Sequence, residues 1–121
     1  MPFAEEASQL WSRIEDPVAP SAWEAELTNV LWMAVRAGVL SLEEAEKRLG
    51  LATRLGIRSV PSRTLWHGAL ARAVESGVAA YDTLFVELAI REKRLLATFD
   101  RKVLERFPEV ARLPSALLAE A

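Results

Sequence analysis

Cysteine is absent from this chain of 121 residues. Its absence excludes disulfides, thiolate zinc sites and cysteine nucleophiles outright. Histidine occurs once, at His67, beside Trp66 and with no nucleophile pattern nearby. A Ser/His/Asp relay has nothing to build on, and His67 reads as a surface residue. The five glycines stand singly and read as helix or turn terminators, so no Gly-rich phosphate loop is present. Charges interrupt every apolar stretch, so no membrane span is expected. A basic region followed by an apolar run is also missing from the N-terminus, which argues against a secretory signal and for a cytoplasmic protein. Net charge is −2, which denies the surface as a whole any general attraction for phosphate backbones. Nucleic acid would have to be held locally, by a basic rim or through a metal.

About half of the chain is apolar (51 %), too much for a disordered body and enough for one domain with one core. Arginine greatly outnumbers lysine, and Asn and Gln occur once each, a weak hint of a GC-rich genome or a warm habitat. Repeats, low-complexity segments and flexible linkers are missing.

Apolar residues at Phe3, Ala7, Leu10, Trp11 and Ile14 form a helical stripe with acids at its start. Asp16 to Pro20 reads as extended, because residues before proline avoid the α region. Ser21 and Glu24 fit a capping box for a helix reaching Ala37 and stopped by Gly38, and Ser41 and Glu44 fit a second, for a helix to about Leu55. Ile57 to Val60 alternates like a strand. Helices are expected over Ser62–Ser76 and from about Tyr81 to Lys93, then a strand over Arg94–Thr98 and a short helix from Asp100 to Phe107. Val110–Leu113 reads as an edge strand, and Ser115–Ala121 as frayed. Helices alternating with short apolar strands predict an α/β sandwich with a mostly parallel sheet.

Two acids stand out in this arrangement, Asp82 at a helix start and Asp100 at a strand end. About eleven helical residues at ~1.5 Å each span ~17 Å, and five or six strand residues at ~3.3 Å span about the same. A helix running down and a strand running back therefore bring Asp100 level with Asp82, at the strand end where open α/β sheets bind ligands. Convergent carboxylates supply the hard oxygen ligands that suit Mg²⁺ or Mn²⁺. Each acid also has a structural explanation: Asp82 as a dipole-stabilising first-turn residue and Asp100 as an N-cap. Glu26 is a third candidate. It borders the apolar stripe of Trp23, Leu27, Val30, Leu31 and Ala34, where a carboxylate tends to be paired, protonated or metal-bound, although a solvated helix acid fits the pattern equally well. The helix that carries it is apolar almost all round, with Trp23 and Trp32 on opposite sides. Burial on two sides follows, as an enclosed core helix, a homodimer interface or a partner groove.

The pairing Tyr81-Asp82 … Thr98-Phe99-Asp100, together with Glu26-Leu27-Thr28-Asn29, resembles the PIN-domain ribonucleases. Ala19-Pro20-Ser21 and the segment Arg36 to Ala45 look like the VapC-like toxin members of bacterial toxin–antitoxin pairs. The resemblance covers nearly the whole chain as a single PIN-like domain, 1–121. It implies a three-layer sandwich and a metal-dependent endoribonuclease in which Glu26, Asp82 and Asp100 hold Mg²⁺ or Mn²⁺. Thr98 would be a supporting hydroxyl and Asn29 would orient Glu26. Arg101 and Lys102 would be candidate RNA contacts, although a solvated helix start explains them better. The implied partners are an RNA substrate, a cognate antitoxin and a second copy of the chain. The family's sheet starts with a central strand carrying a D-x-S or D-x-N element, whereas this sequence opens on Met1 to Ala7, like the family's first helix. The expectation is therefore two half-sheets with unpaired edges, arising from a misassigned start or from a shortened protein that folds through rearrangement, strand exchange or dimerisation. A catalytically inert PIN-like protein, acting through dimerisation or antitoxin binding, is the alternative.

Overall fold

The structure, a computed structural model, describes residues 4–120. The sequence readings at Met1, Pro2, Phe3 and Ala121 lie outside those residues. Contacts divide the chain into two compact units, one from Asp16–Pro61 and the other from the residues up to Glu15 together with those from Ser62 onward.

The Asp16–Pro61 unit is a β-α-α-β element: β1 (Val18–Pro20), α2 (Ala22–Arg36), α3 (Leu42–Ala52) and β2 (Arg58–Val60). α1, named here for order only, is Ala4–Trp11. Strands β1 and β2 pair in parallel, Val18 opposite Arg58 and Pro20 opposite Val60. The helices supply the long crossover that a parallel pair requires. Pro20 sits at the last ladder position, where its missing N–H is least harmful, and Ser21 takes over by donating to the Val60 carbonyl at 2.7 Å. Trp23 Nε1 donates to Ser59 Oγ at 2.8 Å, tying the start of α2 to β2. An Asp16–Arg58 ion pair at 3.4 Å closes the strand entry.

The two S-x-x-E patterns have different fates. Ser41 is extended (φ −78°, ψ 163°), accepts from the Glu44 N–H at 3.1 Å, and donates its own N–H to Glu44 Oε1 at 3.0 Å. Those hydrogen bonds hold the Glu44 carboxyl below its ordinary range. Ser21, by contrast, makes no side-chain cap. The ladder bond to Val60 holds its backbone already helical (φ −57°, ψ −19°), which turns the hydroxyl off the N3 amide, and Glu24 instead accepts from Ser59 Oγ at 3.4 Å. On α2 only Leu31 is buried, and Val30, Trp32 and Met33 are each 55 % exposed. The apolar helix is thus not an enclosed core helix within the Asp16–Pro61 unit.

In the second unit, α4 (Trp66–Ser76) follows a 3₁₀ turn at Ser62–Thr64 and packs along α5 (Ala80–Arg91). Gly77 ends α4 in the left-handed region (φ 76°), which glycine adopts without steric penalty. Then come β3 (Leu96–Ala97), α6 (Arg101–Arg106), β4 (Ala111–Arg112) and α7 (Pro114–Glu120). Strands β3 and β4 are parallel, Leu96 opposite Ala111. The core is Val78, Val86, Val103, Phe107 and Ala111, with Ile90, Leu96, Leu104 and Val110 packed on it.

Two sequence readings need correction here. The C-terminal segment is helical rather than frayed: buried Pro114 presets the first turn, and α7 packs on α1, with Arg13 donating to the Leu118 carbonyl at 3.4 Å. Gly68 lies inside α4 and Gly50 inside α3, and neither terminates its helix. A Cβ at Gly68 would stand 2.5 Å from the Glu87 carboxyl carbon, so glycine permits the close approach of α5. Among the described residues the strands form two-stranded parallel sheets, β1–β2 in one unit and β3–β4 in the other.

Candidate metal centre

Asp82 and Asp100 occupy the starts of α5 and α6, within one unit. Asp100 is extended (φ −72°, ψ 116°) and its Oδ1 accepts the Val103 N–H at 3.0 Å, so its capping role is real. Its own N–H donates to Thr98 Oγ1 at 3.0 Å, and the Thr98 N–H continues the ladder to the Arg112 carbonyl at 3.0 Å. Thr98 therefore fixes Asp100 to the end of β3. One Asp100 oxygen is engaged by the cap, and a carboxylate has acceptor capacity beyond that.

Asp82 is half-buried, and its carboxyl is raised above the ordinary carboxylate range. Loss of water is the larger cause, and the neighbouring negative charge of Asp100 is the second. The charge of Asp100 thus contributes to the shift at Asp82. Two carboxylates are hard oxygen donors, the kind a divalent cation takes, and a cation there would relieve both penalties at once. The next residue, Thr83, is fully buried (0 %) and donates its hydroxyl to the Ala69 carbonyl of α4 at 2.7 Å. That bond fixes the first turn of α5, and with it Asp82.

Glu26 is exposed on α2, in the Asp16–Pro61 unit. Asn29 does not bond it: the hydrogen bond of the amide runs one turn onward, to Met33 Sδ at 3.7 Å. Among the described residues no group of three or more His, Asp or Glu side chains is arranged to hold a metal ion. Lys102 donates to the Gly77 carbonyl at 2.6 Å, locking α6 to the end of α4, whereas Arg101 beside it is exposed. His67 is exposed, edge-on to Trp66.

Sequence reading passed over Glu87. Only 7 % exposed, it receives Arg72 Nε at 2.8 Å and Arg91 Nε at 2.7 Å, and Arg91 also donates to the Thr64 carbonyl. Burial pushes its carboxyl up, but the hydrogen bonds and charges of Arg72 and Arg91 outweigh that and hold it below the ordinary range. The available signal was an acid inside the apolar run Leu84 to Ala89 with an arginine four residues on.

Short parallel strands flanked by helices, with acids at the strand and helix ends, define an α/β protein of the PIN type. The PIN domain family model matches residues 1–113, and the chain belongs to that family. It is also similar to the protein named Ribonuclease VapC3 of Pyrobaculum aerophilum, with 33 % identity over 87 residues that cover 69 % of this chain and 65 % of that relative. The match thus spans just under two thirds of the relative's length. Among the described residues no helix is long and apolar enough to cross a membrane.

Proposed function

We propose that this chain is a divalent-metal-dependent endoribonuclease of the VapC toxin type. The observation that carries the reading is the Asp82–Asp100 pair, in which a half-buried acid faces a like charge. Such a pair is unfavourable for folding alone and favourable as a cation cradle. Asp82 and Asp100 are the proposed ligands, and Glu26 joins them on the strength of its E-x-x-N pattern. A bound Mg²⁺ or Mn²⁺ would supply an acidified water and positive charge against the scissile phosphate. Thr98 holds Asp100 in place and Thr83 holds the turn bearing Asp82, so both carboxylates are set before substrate arrives. The name of the Pyrobaculum relative supports RNA as the substrate class. A cognate antitoxin and a second copy of the chain are the proposed partners, and the open apolar face of α2 offers a surface for either. The cytoplasm is the proposed location.

A second reading, an inert PIN-like protein that acts by binding, is favoured by the capping duty of Asp100 and by the lack of a three-residue cluster among the described residues. One assay separates the two: cleavage of end-labelled RNA in Mn²⁺ by the native chain, Asp82→Asn and Asp100→Asn. Asparagine caps helices as well as aspartate does, so Asp100→Asn keeps α6 intact. Cleavage lost in both variants supports the enzyme; identical background in all three sinks it.

A further inference from the structure

The first turn of α6 carries two cations, Arg101 and Lys102, directly after Asp100. Amide groups at the start of a helix repel positive charge, so helix preference explains neither residue. Both are exposed, but the Lys102 ammonium donates to the Gly77 carbonyl at 2.6 Å, 25 residues away in sequence. Gly77 ends α4, and the carbonyls at a helix end attract a cation.

Gly77 also begins the short junction that leads into α5, and that junction is itself held. Ser76 Oγ donates to the Arg72 carbonyl at 2.6 Å and accepts the Val78 N–H at 3.1 Å. Val78 is 2 % exposed and shares the core with Val103, the residue after Lys102. The Ala79 carbonyl accepts the N–H groups of Asp82 at 3.0 Å and Thr83 at 3.1 Å. The Lys102–Gly77 bond thus joins the turn that carries Asp100 to the junction that sets Asp82. Such a tie has something to oppose, because like charges brought near each other push their supports apart.

We propose that Lys102 is a positioning residue for the acid pair: its bond to the Gly77 carbonyl straps the first turn of α6 to the α4–α5 junction and keeps Asp82 and Asp100 close enough to share one cation. This role rests on the metal-dependent reading above and adds to it the tie that holds the two ligands to each other. It differs from two simpler roles. As a counterion to the acids, Lys102 would compete with a metal ion. As a plain helix tie, it would stabilise the chain without touching metal affinity.

The test is Mn²⁺ binding to the full chain, read from the electron paramagnetic resonance signal of free Mn²⁺, with urea unfolding run on every variant. Because Lys102 is exposed, the variants are expected to fold. Lys102→Met, of similar length but with neither charge nor donor, is expected to weaken Mn²⁺ binding about tenfold, the low end for losing a group that orients metal ligands. Lys102→Arg, which keeps a charged donor, is expected to bind like the native chain. Arg101→Met removes the same charge from the same turn without breaking the bond, and should leave binding unchanged or tighten it. The sign of the change therefore separates the strap from simple electrostatics. Tighter or unchanged binding in Lys102→Met overturns the role, including the case of a lowered urea midpoint with native Mn²⁺ affinity. Equal weakening in Lys102→Arg or Arg101→Met overturns it as well. A native chain that binds no Mn²⁺, or binds it no better than Asp82→Asn, removes the metal-dependent reading and this role with it. Where native binding is lost in Asp82→Asn, failure at Lys102 removes the strap alone.

Discussion

Two carboxylates on one helix, Asp82 and Glu87, have opposite environments. Glu87 is the more deeply placed, yet two guanidiniums close on it and its charged form is the favoured one. Asp82 keeps more access to water, yet its charged form is disfavoured, because it loses part of its hydration and faces Asp100. Depth therefore does not decide which acid keeps its charge. An acid whose charge the fold has already neutralised is a structural tie; an acid left with a like charge nearby is, on the function proposed above, one that a bound cation would complete. The first joins α4 to α5, and the second sits at the rim where α5 begins.

The strongest test of that contrast is to neutralise each acid in turn and read cleavage. Asp82→Asn is expected to reduce RNA cleavage in Mn²⁺ by at least about a hundredfold, the usual scale for losing one centre of transition-state charge stabilisation. Glu87→Gln is expected to keep cleavage within a few-fold wherever the variant is folded. A hundredfold loss in folded Glu87→Gln would erase the distinction between the two residues.

Stability reverses the ranking. Glu87→Gln leaves Arg72 and Arg91 without their anion. Breaking a buried pair costs about 3–5 kcal/mol, and because both guanidiniums are partly exposed we expect about 2–3 kcal/mol, read from urea unfolding midpoints. Gly68→Ala comes next, at about 1–3 kcal/mol. Its methyl would meet a carboxylate that two arginines prevent from retreating. The two substitutions share one contact, so their costs should not add: in a Glu87→Ala background, Gly68→Ala should be nearly neutral. Full additivity would show that the clash at Gly68 has another source.

Local readings in the sequence succeeded where the chain itself closes the geometry. Asp82 and Asp100 open successive helices of one unit, α5 and α6, but the strand between them is only two residues long (Leu96–Ala97), far shorter than the Arg94–Thr98 expected, so the matched-length argument is not what relates them. The Ser41 box depends on four consecutive residues and forms as read. The Ser21 box has the same letters and does not form, because a backbone bond to Val60, 39 residues away in sequence, decides its conformation first. Gly68 was misread for the same kind of reason, since the carboxylate that needs its missing side chain belongs to another helix. Asn29 bonds Met33 rather than Glu26, a choice made by rotamers that residue spacing does not encode. The family resemblance supplied the grouping of Glu26 with the two aspartates; helix geometry alone left it open between a functional acid and a solvated one.

The smallest expected effect concerns the folding cost of the candidate site. A raised carboxyl in the folded chain means that, between its unfolded value near 3.9 and its folded value, the folded state holds more proton than the unfolded one. Stability contributed by Asp82 is thus present below that window and lost as pH rises through it. Glu87, with a lowered carboxyl, has the opposite sign: its contribution is present above the unfolded value and lost as pH falls through the folded one. At neutral pH without metal, Asp82→Asn should therefore be slightly more stable than the native chain, with the advantage shrinking toward pH 4. Adding Mn²⁺ should raise the native midpoint and leave that of Asp82→Asn nearly still, since only the native chain keeps the charge the ion would offset. Unfolding curves at two pH values, with and without Mn²⁺, measure all of this. A variant less stable than the native chain at neutral pH, without metal, would make Asp82 a stabilising helix acid after all.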